Sequence, residues 1–407
     1  MMVREKSIFS DVAFPYFAAK FLSTFALSIP HAILTPILLS KGLSLSEILK
    51  LQVAFSICVL LFEIPSGAIA DIIDRRIVYV ASRAILAIFF IAVMLGSGFY
   101  FLLSIWSIYG IANALESGTL DAALVNNAKN QKRNHPTSEG RVSWLVRRES
   151  QFNFSGMLFG SVTGAISYPY IGYNIYLFSF CATVLAIVSV VLFFHIPEQK
   201  PQFNSDFKFS LGKLKHHVDD TTVEMRQSPL LKRFLLLTVL IESFMQLHMQ
   251  LWQAIALENS IGENRLFLLY ATFIAISAFS STFRAEKIIG STTGAATVLL
   301  AVTVCIFSLH KYTGHLYVIS YAIIVFFLII FLNYCTIGVR RNSSIERIGS
   351  VTSLVSVCSR IGSITTLIIS SQIIEHISAT QVFCYGSALI TVILTAFGLF
   401  IRLSRSS

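Results

Sequence analysis

The amino-acid sequence predicts an all-α membrane protein, with twelve transmembrane helices in two six-helix bundles. Three observations lead there. The chain is 55% hydrophobic and only 13% charged, about half the charged share of soluble domains. Its apolar residues fall in repeated runs of about 20, the length that crosses a bilayer core. Its basic residues gather on alternate sides of those runs. Backbone polar groups in lipid must pair within their own segment, so each run is expected to be a helix. A soluble enzyme is excluded, and no catalytic residue is expected.

The first span is placed at 12–39. Arg4 and Lys6 precede its apolar run, as in a signal peptide, but the run continues past Lys20 to Leu39 without a small-residue cleavage pattern. It reads as a helix, not a removed leader. Spans two and three, 47–70 and 77–96, flank a short charged loop ending in Arg75 and Arg76. Span four, 99–126, leads into a basic stretch. Span five, 149–170, carries Gly156, Gly160 and Gly164 at four-residue spacing, and span six covers 173–195. The longest polar stretch, 197–232, then separates 1–196 from 233–407 as a cytoplasmic linker between two bundles. Within it, Leu211 to Met225 could form a surface helix, and His216 and His217 read as solvated linker residues. Spans seven to twelve follow at 233–257, 265–285, 291–309, 315–338, 349–372 and 379–401.

The formal charge of +10 is a topology signal. Of 31 Lys and Arg, only Lys41, Lys50, Arg265 and Lys311 belong to odd-numbered loops, and Lys20 and Arg360 lie inside spans; the rest occupy the termini and even-numbered loops. The positive-inside rule therefore places both termini in the cytoplasm, which requires an even number of spans. No nucleic-acid partner is expected. Cys58, Cys181, Cys305, Cys335, Cys358 and Cys384 all fall inside predicted helices without a CxxC pair, so they read as small packing residues, and no metal site is expected.

The stretch from Glu63 through Pro65, Ser66, Gly67 and Asp71 to Asp74, Arg75 and Arg76 resembles the loop between helices two and three of the major facilitator superfamily. That pattern is Gly, three residues, Asp, basic, any, Gly, basic, basic. Gly67, Asp71, Arg75 and Arg76 match; Ile72 replaces a basic residue and Asp74 replaces a glycine. Glu63-x-Pro-Ser-Gly67, and Ser117 to Ala123 at the end of span four, are similar to a bacterial drug- and antibiotic-efflux-like branch. The matching loop after span eight, Ser281 to Gly290, keeps charges but loses the motif.

The resemblance implies the major facilitator fold and a monomeric, secondary active transporter of a bacterial inner membrane. It implies a small-molecule substrate held between the bundles, alternating access, no cofactor, and the proton gradient as energy source. It implies that Gly67, Asp71, Arg75 and Arg76 latch the bundles on the cytoplasmic side; a plain charged turn is the other reading. Export of an amphipathic antibiotic or peptide-like toxin is the leading expectation. A nutrient importer and a non-transporting sensor are the alternatives.

Ionisable residues at membrane depth are costly, which marks Lys20, Glu116, Glu242 and Arg360 as proton-coupling candidates. Three polar stripes at helical spacing accompany them: Lys20, Thr24, Ser28 and His31 in span one; Tyr109, Asn113 and Glu116 in span four; Glu242, Gln246, Gln250 and Gln253 in span seven. They suit either a substrate cavity or helix-to-helix hydrogen bonding. Matching depths suggest the pairs Lys20–Glu116 and Glu242–Arg360. His31 and His248 are weaker candidates. Trp106, Trp252, Tyr317 and Tyr321 are assigned to a hydrophobic cavity or an interface belt.

The topology carries a direct test. Reporter fusions at Gln202 and at Ser407 should read cytoplasmic, and one at Lys311 periplasmic; a periplasmic signal at Gln202 would overturn the orientation.

Overall fold

The computed structural model describes residues 2–116, 120, 138–194, 225, 227–312, 314–344 and 348–403. The proposed surface helix with His216 and His217, and most of the Ser117–Ala123 segment, lie outside the described residues. The chain divides into two compact units, Met1–Phe203 and Asn204–Ser407.

The first unit contains α1 (Met2–His31), α2 (Leu34–Ser40), α3 (Leu45–Ile72), α4 (Arg75–Leu95), α5 (Phe99–Glu116), α6 (Ser138–Ile171) and α7 (Ile175–Phe193). The first expected span is a bent pair, with 52° between α1 and α2. Pro30 and Pro36 cannot donate backbone hydrogen bonds at this break. Helix α1 packs on α6 and α7, α3 on α5, and α4 on α5 and α7.

The contact between α1 and α6 depends on the glycine stripe. A methyl on Gly156 would stand 2.8 Å from the Phe21 carbonyl oxygen, and one on Gly160 would stand 3.0 Å from Ser28 Cβ. Only hydrogen lets the two backbones approach this closely.

Helix ends are tied down by side chains. Ser44 and Glu47 form a capping box at the start of α3, with bonds of 3.2 and 2.8 Å. Asp74 accepts from the Arg76 amide at 2.7 Å and caps α4. The departure from the loop motif therefore has a local use: an acid faces the positive end of a helix dipole. At the far end of α4, Lys41 donates to the Gly96 carbonyl at 2.8 Å and lies 4.1 Å over the Tyr173 ring. Partial burial holds its ammonium below the usual lysine range.

The second unit contains α8 (Pro229–Glu258), α9 (Leu266–Ser280), α10 (Ala285–Ile289), α11 (Thr292–Lys311), α12 (His315–Asn342), α13 (Ile348–Ile373) and α14 (Ala379–Leu403). Helix α8 is central and packs on α12, α13 and α14. Its last residue, Glu258, accepts from the Ala379 and Thr380 amides at 2.7 and 2.8 Å and from the Thr380 hydroxyl at 2.7 Å. One carboxylate thus satisfies the open N-terminus of α14.

Among the described residues, seven helical stretches are long and apolar enough to cross a membrane, or eight counting the bent pair. The stretch Arg148–Phe193 joins α6 and α7 through the 3-10 turn Gly172–Asn174. Helix α9 stops at Ser280, short of the expected 285, because the degenerate loop motif forms the separate turn-length helix α10. Exposed Leu61, Ile88, Phe159, Leu300, Phe307 and Leu389 give both units an apolar exterior that lipid can solvate. Trp106, Trp252, Tyr317 and Tyr321 are each at most 2% exposed. They fill helix contacts and do not form an interface belt. Cys181, expected as a packing residue, is exposed.

Gly160→Val should lower stability by about 1–3 kcal/mol through overpacking, seen as a lower Tm of the detergent-purified protein. An unchanged Tm would show that α1 and α6 can separate at no cost.

Candidate functional site

In the first unit, four helices bring polar side chains into an otherwise apolar interior. From α4 comes the stripe Val78, Tyr79, Ser82, Arg83 and Leu86, all buried. Arg83 lies about 12 Å along α4 from its first residue, at 1.5 Å per residue. It forms an ion pair with Glu116 of α5. The Arg83 side chain is 2% exposed and that of Glu116 24%. The guanidinium lies 5.4 Å from the centre of the Tyr79 ring. Tyr79 in turn shares a 2.8 Å hydrogen bond with Ser23 of α1. Tyr109 packs between Phe55 and Phe89, each at 4.7 Å. Ser82 donates to the Ala112 carbonyl at 2.8 Å and so joins α4 to α5 a second time.

A second pair lies beside the first. Lys20 of α1 meets Glu149 of α6 at 3.1 Å, with 22% and 28% of their side chains exposed. One turn on, Thr24 donates to Asn153 at 2.6 Å. The expected Lys20–Glu116 pair is therefore exchanged for two others. The reason is a missed helix start. Helix α6 begins at Ser138, so Glu149 stands well inside it and not at a span edge. The α1 stripe of Lys20, Thr24 and Ser28 turns toward α6 and its glycines. This is the helix-to-helix arrangement; His31 follows, half-buried, at the end of α1. Asn113 is half-buried on α5.

In the second unit, the α8 stripe holds Glu242, Gln246 and Gln250 half-buried and Gln253 buried. Arg360 of α13 lies near enough for its charge to act on Glu242. His248 is 4% exposed. Its Nδ1 is 3.1 Å from the Tyr321 hydroxyl, and its ring meets Phe273 edge-on at 5.0 Å. It serves aromatic packing.

Of the loop signature, Gly67 and Asp71 fall in the last turns of α3, and their side chains lie outside the described residues. Arg76 donates to the Val191 carbonyl at 3.0 Å and so caps the last turn of α7. Arg75 begins α4 and is half-buried. Among the described residues no three His, Cys, Asp or Glu converge as a metal site requires.

Sequence reasoning missed Arg83, Tyr79, Glu149 and Asn153. Arg83 had been counted with the loop charges beside Arg75 and Arg76. Its signal was its place on the buried face of α4, one turn after Tyr79.

A sequence model described as Major Facilitator Superfamily matches residues 16–367. No curated protein matches. Among solved structures, the nucleoside transporter NupG superposes with a TM-score of 0.76 at 13% identity, over 96% of this chain and 99% of that one. A POT family transporter in complex with 5-aminolevulinic acid gives 0.66 at 14%, over 96% of each. A bacterial homolog to the human lysosomal transporter Spinster, inward-facing and unoccupied, gives 0.66 at 11%, over 97% and 95%. At these identities the likeness is one of fold.

Glu116→Gln alone strands a buried arginine and should cost about 3 kcal/mol, whereas Arg83→Gln with Glu116→Gln should recover most of it. Thermal melts of the three proteins check this. Equal losses in the single and double variants would mean that the pair does not hold α4 to α5.

Proposed function

We propose that this chain, which belongs to the Major Facilitator Superfamily, is a proton-coupled secondary transporter that exports an amphipathic small molecule by alternating access. In this reading the substrate is an antibiotic or peptide-like toxin. The protein is a monomer in a bacterial inner membrane, with twelve spans and both termini in the cytoplasm. No cofactor is needed, because the proton gradient supplies the energy.

The observation that carries the reading is the set of ionisable side chains held within apolar helices. Lys20 with Glu149, and Arg83 with Glu116, stand in the first unit; Glu242 stands near Arg360 in the second. Charges kept at membrane depth are expensive and mark ion pathways. Glu242 is the first candidate for the coupling acid, because it shares a polar face with Gln246, Gln250 and Gln253. These amides, with Tyr109 and Asn113, would meet the substrate.

The loop signature keeps its proposed latch role through Gly67, Asp71 and Arg75. Arg76 contributes less, since its guanidinium is engaged with Val191. The second reading is a proton-coupled nutrient importer, because the same fold moves solutes either way. The two are separated by the direction of flux.

A compound panel on cells with and without the gene should identify substrates by changed susceptibility. Proteoliposomes then test coupling. Glu242→Gln should abolish gradient-driven accumulation yet keep substrate binding, and Glu116→Gln should be the milder change. If Glu242→Gln still concentrates substrate while Glu116→Gln does not, the coupling acid is Glu116. Accumulation that ignores the proton gradient in the unmodified protein would end the proton-coupled reading.

A further inference from the structure

The first turns of α8 and the last turns of α12 bring four cations to one place. The Phe234 ring of α8 lies against Gly338 of α12, where a methyl would collide with it. The same ring meets Tyr334 at 5.6 Å. Phe234 and Leu231 share a buried apolar cluster with Val339 and, from α13, Val351 and Val355. The two helices run antiparallel, since His248 meets Tyr321 further along. Lys232 and Arg233 precede Phe234, while Arg340 and Arg341 follow Gly338. All four therefore fall on the same side of this contact.

Their charges are not balanced from within. Lys232, Arg340 and Arg341 are exposed, and Arg233 is half-buried. Among the described residues, no carboxylate pairs with any of the four. The last carbonyls of α12 are served by other groups: Asn342 donates to Gly338 and the Ser343 hydroxyl to Val339, both at 2.7 Å. The guanidinium groups are thus not used up as caps. On α8 the placement is adverse. The first turn of a helix carries partial positive charge. Here it holds no acid, and Lys232 and Arg233 stand fourth and fifth in the helix. Four cations and a positive helix end repel one another unless an anion lies among them.

Apolar side chains border the charges. Leu230 is 44% exposed and Ile337 38%. Ile337 lies three and four residues before Arg340 and Arg341, on the same face of α12. A free inorganic anion would leave these side chains in water. A phospholipid covers them with its acyl chains while its phosphate meets the cations.

We propose that Lys232, Arg233, Arg340 and Arg341 form a binding site for an anionic phospholipid headgroup, which ties the ends of α8 and α12 together. The cytoplasmic leaflet is the one implied by the orientation above, which the Gln202 fusion tests separately. Binding itself is tested in detergent, where no leaflet exists.

The purified full-length protein in dodecyl maltoside is melted with added cardiolipin, with phosphatidylcholine, or with inorganic phosphate. Cardiolipin should raise Tm in a saturating way, as a ligand of the folded state does. Phosphatidylcholine, and phosphate at the same phosphorus concentration, should not. Lys232→Gln with Arg340→Gln should move the cardiolipin midpoint to about thirtyfold higher concentration, from about fivefold per cation. Arg284→Gln with Lys287→Gln removes two other exposed cations of this unit and should leave the midpoint unchanged. An equal loss in both pairs would reveal mere surface charge and overturn the site. An equal response to phosphate would overturn the lipid as its occupant. If the first pair fails to fold, cardiolipin retained by Lys232→Gln alone is counted by native mass spectrometry, and retention equal to the parent also overturns the proposal.

Discussion

Lipid offers no hydrogen bonds, and this single lack organises the molecule. Every backbone group within a span must be satisfied by its own helix, and an open helix end or a buried charge needs a partner within the protein. The ends of α4 show how. Asp74 serves the first amides, and Lys41 serves the last carbonyls. Glu258 does the same work for α14, reaching across from the end of α8. The ion pairs obey the same rule. Arg83 and Lys20 are tolerated inside the first unit because Glu116 and Glu149 neutralise them.

The two units meet this constraint differently. The first places its charges in pairs that bridge α1, α4, α5 and α6, with Tyr79 packed against the Arg83 guanidinium. The second relies more on neutral polar groups. Its α8 carries amides, and the buried His248 is held by a tyrosine hydroxyl and aromatic edges. The ion pairs of the first unit touch several helices, while the second concentrates its polar face on one central helix.

Hydropathy made the helical class and most helix positions legible, because a run of about 20 apolar residues has few other uses. Local grammar was legible too: Ser44 with Glu47 is a capping signal in any setting. What escaped was pairing. Lys20 and Glu116 have matching depths, but depth says nothing about which face of a helix a side chain occupies. Arg83 was hidden by its neighbours, since Arg75 and Arg76 made it look like one more loop charge. Glu149 was hidden by a helix that starts eleven residues earlier than the apolar run suggests. The bend at Pro30 and the role of Asp74 depend on backbone geometry, which composition does not encode.

The glycine stripe of α6 has a mechanical consequence. Backbones in near contact over Phe21 to Ile29 leave little side-chain bulk between them to reshuffle, chiefly Thr24 with its bond to Asn153. Helices α1 and α6 therefore behave as a single stiff beam, and the soft point in that beam is the bend before α2. A distance probe spanning α1 and α6 would serve as a fixed ruler, against which displacement of any other helix in this unit can be read.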